Sequence, residues 1–376
     1  MGITKHNEKW KVDISSGVDN ITGKRTRHIK KGFKTKAEAE AYEARFRIFE
    51  LNKIHHKEKL SIDYLYSLMV QEDKAANKKM SYIITQKNSF NNYFREYFSK
   101  ADMKKITYNE VVDFRDYLLA RPNRQNGGTL SANSVNHQMV LLKKLLDIGV
   151  KRGYMEVNPS KMVKKLPVPK AVMKYYTAKE FKEFLTIFED GEYSYKLFFK
   201  VLFFTGLRLG EALALTWEDI NFEESYLMIS KSIYYYKNEA YLGTPKNSHS
   251  IRKVYIHEGL INELKRWQLK QFALLKKYEP NLMNLQIYQD SPEPLSKYLV
   301  TNKKKQIDKR KSPLLKKIRI HDFRHSHASY LINNGIDPTK LSKRLGHSSI
   351  TTTLDTYSHL YPDTQKSVVS IFDDFE

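Results

Sequence analysis

The sequence predicts a mainly helical chain with small β elements, arranged as three consecutive segments. Three observations lead there. The chain has 376 residues, more than one hydrophobic core usually organises. Apolar residues recur at helical spacing through most of the middle and end of the chain. Short β-type runs are confined to the first 53 residues and to a stretch between Tyr226 and Ile256. With 41% hydrophobic and 12% aromatic residues, the chain can bury real cores, which argues against wholesale disorder.

The first segment is residues 1–53. Lys9 to Ser15 and Asn20 to Phe33 read as strands around a turn at Gly17 and Asp19, and a helix follows from about Thr35 through Ala37, Ala39, Ala41, Tyr42 and Phe46. Residues 1–36 carry ten Lys or Arg against three acids. A small twisted sheet with that charge fits a nucleic-acid groove. Lys24, Arg25, Arg27, Lys30 and Lys31 are its candidate contacts. The plainer reading is a solvated basic hairpin, and the concentration of charge on the strands favours DNA.

The second segment, 56–165, reads as helices. Ile62, Tyr64, Leu65, Leu68 and Met69 share one face, and Tyr82, Phe90, Tyr93, Phe94 and Phe98 another. Val111, Phe114, Tyr117 and Leu118 form a third. A longer helix opens at Ser131 and Asn133 and runs through Val135, Met139, Leu142 and Leu146. These stripes read as core. Gly153, Asn158 and Pro159 end the segment, and a Lys- and Pro-rich linker follows.

The third segment, 174–376, opens on a capping box at Thr177 and Glu180. An apolar helix stops at Gly206. Tyr226 to Tyr236, Ala240 to Leu242 and Arg252 to Ile256 read as strands, and the remainder as helix. Residues 301–320 hold nine basic residues beside Asp308 and read as a flexible solvated loop or a DNA contact.

Charge and composition narrow the chemistry. Lys and Arg number 65 against 42 Asp and Glu, a net +23, which favours a polyanionic partner over simple solubility only in combination with other signals. The absence of cysteine removes disulfides, thiolate nucleophiles and Cys-type zinc sites. No apolar run approaches the ~18 residues of a membrane span, and the N-terminus lacks the apolar stretch of a signal peptide. A soluble, cytoplasmic protein is expected.

Transfer at a phosphodiester needs a nucleophile, cations for the non-bridging oxygens and a proton for the leaving oxygen. Arg suits the second task, being forked and always charged. Arg208 in FFTGLRLGEALALTW stands at a helix start with Glu211 three residues on, placed to orient it. In HDFRHSHASYL, His321 and Arg324 share a helix face. His321 and His325 also have the spacing of a zinc-protease helix, but Asp322 stands where such a helix carries its Glu base. His325 and His327 read as packing or hydrogen-bonding residues beside the site. Asp337 and Pro338 open a helix that Gly346 stops, and His347 follows in the turn. The next helix starts at Ser348 or Ser349, is weakened by Thr351, Thr352 and Thr353, and carries Tyr357. Lys246 sits in a turn before the strand at Arg252, a place from which it could protonate a leaving oxygen. Taken alone, each piece has a plainer meaning: a surface ion pair, a polar turn residue, one tyrosine among 25.

The ordered set is more specific than its parts. TGLRLGE, a hairpin lysine, His-x-x-Arg, LGH, and Tyr ten residues later resemble the tyrosine recombinase, or phage integrase, family over about residues 174–361. SANSVNHQMVLLKKLLDIGVKRGYMEVNP resembles that family's helical core-binding domain. The first 53 residues resemble the small three-stranded arm-binding domain of phage and conjugative-transposon integrases. Asn247 stands after Lys246 where the family often has Thr.

The resemblance implies a three-domain architecture, with an arm-type DNA-binding domain at 1–53, a core-type domain at 56–165 and a mixed α/β catalytic domain with a C-terminal tail at 174–376. It implies that Tyr357 attacks the scissile phosphate, leaving a 3′-phosphotyrosine and a free 5′-hydroxyl. Arg208, Arg324 and His347 would hold the phosphate, Lys246 would protonate the 5′-oxygen, His321 would assist proton transfer at Tyr357, and Glu211 would position Arg208. The implied partners are double-stranded DNA at core-type and arm-type sites, a homotetramer passing through a Holliday junction, and accessory DNA-bending or directionality factors. No cofactor, metal or ATP is implied.

A type IB-like topoisomerase and a catalytically silent DNA-binding regulator are the alternatives. The N-terminal and helical segments favour the recombinase over the first, and the intact residue set favours it over the second. Tyr361 is the rival nucleophile, and Tyr330 is expected in the core. Val368, Val369, Ile371 and Phe372 in the tail would dock on a neighbouring subunit or pack within the chain.

Overall fold

Val12 and Ile14 alternate with Lys11, Asp13 and Ser15, the period of a half-covered strand. In the computed structural model, which describes residues 2–6, 9–18, 25–55, 59–123, 127–169, 172–236, 239–243, 250–278 and 284–361, they lie on β2 (Lys9–Val18). β2 is the central strand of an antiparallel sheet with β1 (Gly2–His6) and β3 (Arg25–Phe33). Sequence reading misses β1, whose one aliphatic side chain is Ile3. Pairing with β2, Ile3 opposite Val12 and Lys5 opposite Trp10, makes it a strand. The proposed strand start at Asn20 lies outside the described residues. Helix α1 (Lys36–His55) is opened by Glu38 N–H donating to Thr35 Oγ1 at 3.2 Å. Its Ala39, Tyr42 and Phe46 cover Val12, Ile14, Trp10 and Phe33.

A second core lies in the helices α2 (Ile62–Ala75), α4 (Tyr108–Ala120) and α5 (Ala132–Lys151), with α3 (Met80–Ser89) between α2 and α4 in the chain. The face expected from Tyr82 to Phe98 does not hold over its whole length. α3 itself buries nothing, and the chain widens into a π turn at Phe90–Phe94. That turn brings Phe90, Phe94 and Phe98 inside. Tyr82 instead accepts a hydrogen bond from Lys144 at 3.0 Å. The chain divides into two compact units, Met1–Lys170, which holds both of these cores, and Ala171–Glu376.

The second unit begins with α6 (Ala178–Thr186), opened by the expected capping box of Thr177 and Glu180. It continues through α7 (Tyr193–Thr205) and α8 (Leu209–Ala214). The strand expected from Tyr226 to Tyr236 is two strands. β5 (Tyr226–Ile229) lies between β4 (Ile220–Asn221) and β8 (Arg252–Tyr255), whereas β6 (Ser232–Tyr236) pairs with β7 (Glu239–Gly243) as a separate hairpin. Between them Lys231 turns to Asp219 at 2.8 Å, which redirects the chain.

Among the described residues five α-helices follow: α9 (Glu258–Leu275), α10 (Lys297–Arg310), α11 (Asp322–Asn333), α12 (Pro338–Leu345) and α13 (Ile350–Tyr357). The basic stretch 301–320 is therefore not a flexible loop throughout. Its first half is the end of α10, where buried Lys304 pairs with Asp308 at 2.5 Å.

The core of this unit contains a polar braid. Trp217 Nε1 donates to Gln271 Oε1 at 2.5 Å, and Gln271 Nε2 donates to the Gln286 carbonyl at 2.9 Å. Gln286 Nε2 donates to the Leu213 carbonyl at 2.6 Å, fixing the end of α8. Each buried group so satisfied would cost about 1–3 kcal/mol if orphaned. Gln271→Leu should therefore lower the unfolding free energy by at least about 2 kcal/mol, read from urea melts; an unchanged midpoint would show that the braid contributes nothing.

Candidate active site

Two helix ends make the site. α7 stops at Gly206 (φ 67°) and α12 at Gly346 (φ 67°), both in the left-handed region that suits glycine. A Cβ on Gly206 would lie 2.6 Å from His327, and one on Gly346 would lie 2.9 Å from the Arg252 guanidinium. The last carbonyls of a helix have no partner within it and carry partial negative charge. Here they are taken by arginines. The carbonyls of Arg344, Leu345 and Gly346 accept from Arg252 Nε at 2.7 Å, Arg324 Nη2 at 2.7 Å and Arg208 Nη2 at 3.2 Å. Arg324 Nη1 also reaches the Gly206 carbonyl at 2.8 Å, so it ties the two helix ends together.

Glu211 is the carboxylate that two of these arginines bond. It is buried, and it accepts from Arg208 Nη1 at 2.8 Å and Arg252 Nη2 at 2.9 Å. Burial raises its pKa, but Arg252 and Arg208 outweigh that and hold it below the usual carboxylate range. Arg208 caps α8 and remains partly exposed, while Arg324 is 3% exposed. Burial, with Arg208 beside it, brings the Arg324 guanidinium down to about 9, still charged at neutral pH. Gly210 lets β6 approach α8, since a Cβ there would lie 2.5 Å from the Ile233 carbonyl oxygen. The β6–β7 hairpin is thus seated beside the helix that Arg208 opens.

Tyr357 closes α13 and is 1% exposed. Its ring packs with Ala328, Ile332, Leu341 and Leu345. Its hydroxyl lies 3.0 Å from His325 Nδ1. Burial raises the phenol to about 12, against the opposing pull of Arg324 and Arg208. His347 Nδ1 lies 2.7 Å from the hydroxyl of Thr353, one turn before Tyr357 on the same face of α13. His321 precedes α11, and its ring meets that of His325 edge to face at 5.3 Å. His327 donates from Nδ1 to the Phe203 carbonyl at 2.8 Å and accepts at Nε2 from Arg344 Nε at 3.0 Å, which fixes a neutral tautomer.

The structure therefore brings Arg208, Glu211, Arg324, His347 and Tyr357 around the ends of α7 and α12, with His321 adjoining through His325. In the zinc-helix alternative Asp322 would stand where the base does, but it accepts from Arg319 at 3.0 Å. Lys246 lies outside the described residues, as do Lys24 and the tail with Val368, Val369, Ile371 and Phe372. Of the basic residues on β3, Arg27 and Lys31 are exposed and share a face, whereas Lys30 lies over the Tyr42 ring at 4.5 Å. Arg25 is on β3, and its side chain is not described. Tyr330 is not core: it is 46% exposed. Tyr361 is half-buried, and its hydroxyl is raised by burial and by Asp337 rather than faced by arginines.

Sequence reading misses Arg252, Arg344 and Thr353. Arg252 opens a short strand, and Arg344 lies in a helix turn rich in Lys. A basic residue in either place usually faces solvent, so no local signal marks them.

Three stretches of the chain match known families. Residues 174–363 match the Phage integrase family, 62–166 the Phage integrase SAM-like domain, and 3–48 the Arm DNA-binding domain. The chain is 35% identical to the ICEBs1 integrase of Bacillus subtilis (strain 168) over 370 residues, covering 98% of each. It is 24% identical to a XerC-like tyrosine recombinase of Caldanaerobacter subterraneus, over 98% of this chain and 96% of the relative. Among solved structures, the Tn1549 transposon integrase bound to transposon right end DNA superposes with TM-score 0.68 at 18% identity, covering 84% of this chain and 99% of that one. A lambda integrase dimer bound to a core site superposes with TM-score 0.57 at 16% identity, covering 97% and 95%. The last two likenesses concern the fold. Neither the topoisomerase nor the silent regulator gains support from these matches.

The histidines give this unit an acid-sensitive stability. Burial, aided by nearby cations or a second His, pushes His325 and His347 down to about 4 and His327 down to about 3, from an ordinary 6.5. Between those values the unfolded chain binds more protons than the folded one, so stability falls as pH falls. It is complete above about pH 6.5 and is lost progressively toward pH 4. Thermal melts should show Tm dropping steadily from pH 7 to 5, and a flat Tm over that range would contradict the neutral assignments.

Proposed function

The chain belongs to the phage integrase family and is a tyrosine-type site-specific recombinase of mobile elements, and we propose that Tyr357 is its nucleophile. One observation carries the assignment: the Tyr357 hydroxyl lies in the field of Arg324 and Arg208, two of the three arginines that donate to the same helix end. Arg208, Arg324 and His347 hold the non-bridging oxygens of the scissile phosphate, where positive donors are worth most as charge rearranges. Glu211 positions Arg208 and Arg252. Tyr357 attacks phosphorus, leaving a 3′-phosphotyrosine, and Lys246 gives a proton to the 5′-oxygen. His321 assists proton transfer on the nucleophile side. Because the phosphotyrosine retains the energy of the phosphodiester, rejoining needs no ATP.

In this reading residues 1–53 engage arm-type DNA, with Arg27 and Lys31 on the open sheet face as first contacts and Lys24, Arg25 and Lys30 completing the basic strand. Residues 56–165 clamp core-type DNA, and residues 174–376 carry the chemistry. The working assembly is a homotetramer on two duplexes, passing through a Holliday junction. Accessory DNA-bending or directionality factors set the direction, and the protein acts in the cytoplasm on chromosomal or mobile-element DNA.

Trapping the protein covalently on genomic DNA and sequencing the captured fragments supplies the site. On a duplex carrying that site, Tyr357→Phe should abolish covalent complex formation and leave DNA affinity nearly unchanged, since a hydroxyl is removed and no cation is lost. Arg324→Ala should slow cleavage about 10²–10³-fold, the usual effect of deleting one transition-state donor. A phosphotyrosyl peptide mapped to Tyr361 would refute the assignment.

Arginine donors leave no step that calls for a metal. Cleavage by the wild-type chain should therefore persist in excess chelator, and a loss restored by magnesium or zinc would count against this mechanism.

A further inference from the structure

A buried phenolic O–H needs a hydrogen-bond partner, and for Tyr357 that partner is His325. Nδ1 stands 3.0 Å from the hydroxyl, with ring centroids 5.6 Å apart and planes at 65°. The neighbouring histidines are otherwise engaged. His327 spends both nitrogens on the Phe203 carbonyl and Arg344, and His347 Nδ1 is bonded to Thr353. His321 meets the ring of His325, not the phenol. A general base must stand within about 2.6–3.2 Å of the proton it removes. Among the described histidines, His325 is the one that meets this condition at Tyr357.

Building on the reading of Tyr357 as nucleophile, we propose that His325 is the catalytic group that accepts the phenolic proton. As the phenol oxygen bonds to phosphorus, its O–H bond breaks and the proton passes to Nδ1, giving an imidazolium that keeps its Nε2–H. The bond from phosphorus to the 5′-oxygen breaks, and that oxygen takes its proton from the acid, assigned above to Lys246. Rejoining reverses the transfers: the 5′-hydroxyl attacks phosphorus, its proton returns to the acid, and His325 returns its own proton to the departing phenolate.

The surroundings suit the role. His321, Asp322, Arg319 and Arg324 are the titratable and charged groups around the imidazole. In the free protein burial, with His321, Arg319 and Arg324, keeps it neutral and able to accept, against the opposing pull of Asp322. A phosphate seated on Arg208 and Arg324 adds negative charge nearby and so favours the imidazolium. His321, one turn earlier on the helix, then acts through His325.

Two measurements on the full chain test this. In the free wild-type protein, nitrogen NMR of labelled histidine, with His325 assigned by difference from His325→Asn, should show Nδ1 unprotonated and Nε2 protonated. A protonated Nδ1 would overturn the proposal without any variant having to fold. On the trapped genomic site, His325→Asn and His325→Ala should each cut single-turnover cleavage about 10²-fold or more with DNA affinity unchanged. Asn retains an acceptor near the Nδ1 position but cannot take the proton, so a full rate for His325→Asn would reduce His325 to a structural partner. A 5′-bridging sulfur in the DNA, whose departure needs no acid, should not rescue either variant, because the defect lies with the nucleophile; rescue would overturn the assignment. If the wild-type adduct maps to another tyrosine, the assignment of the nucleophile fails instead, and the two failures are told apart.

Discussion

The catalytic unit depends on the capture of arginines by the C-terminal end of one short helix. Three successive carbonyls of α12, those of Arg344, Leu345 and Gly346, each receive a different guanidinium. Gly346 in the left-handed conformation makes this possible, because it turns the chain away and leaves the carbonyls without helical partners. The arrangement gathers residues 208, 252 and 324, far apart in the chain, at one place. Glu211 offsets part of their repulsion from beneath. One carboxylate against several guanidiniums leaves an excess of positive charge, which a phosphate neutralises. On the proposed reading, a bound phosphate would complete that compensation.

The same crowding explains the histidines. A cationic imidazole beside buried arginines would be costly, so His325, His327 and His347 are held neutral. Neutrality gives each ring an acceptor nitrogen. His327 uses its acceptor to fix Arg344, which also donates to the carbonyls of Tyr255 and Phe204. That links β8 and α7 to the arginine cluster. His325 and His347 each present Nδ1 to the helix of the tyrosine. α13 has eight residues and buries only Thr353 and Tyr357, so these two contacts hold much of it. The Tyr357 ring is itself part of a small apolar cluster with Ala328, Ile332, Leu341 and Leu345, so any approach of the phenol to a phosphate would have to repack that cluster.

Most of the element order was legible in the sequence, because its signals are local. Gly206 and Gly346 as helix stops, the capping box at Thr177 and Glu180, and Asp337 with Pro338 at a helix start depend on neighbours three or four residues away. β1 was not legible, since one aliphatic residue among five sets no period. The π turn at Phe90–Phe94 and the division of Tyr226 to Tyr236 into two strands follow from packing and from the Lys231 contact to Asp219. The basic stretch 301–320 misleads for a related reason: burial of Lys304 requires Asp308 one turn away and a core to receive both.

By itself the sequence determined the chemistry available: forked cations, histidines and a tyrosine in a fixed order, no thiols, and glycines where helices must end. Only the tertiary structure decided which groups meet. It enlisted Arg252 and Arg344, which no spacing distinguishes from surface residues, because they are recruited by carbonyls and a ring distant in the chain. It left Tyr330 exposed although its helix is largely buried. It brought His325, not His321, to the phenol, because the approach of α13 to α11 selects one turn of that helix, and both histidines lie on the same face when only the sequence is read. Local residue type fixes what a side chain can do; the packing of helix ends fixes what it does it to.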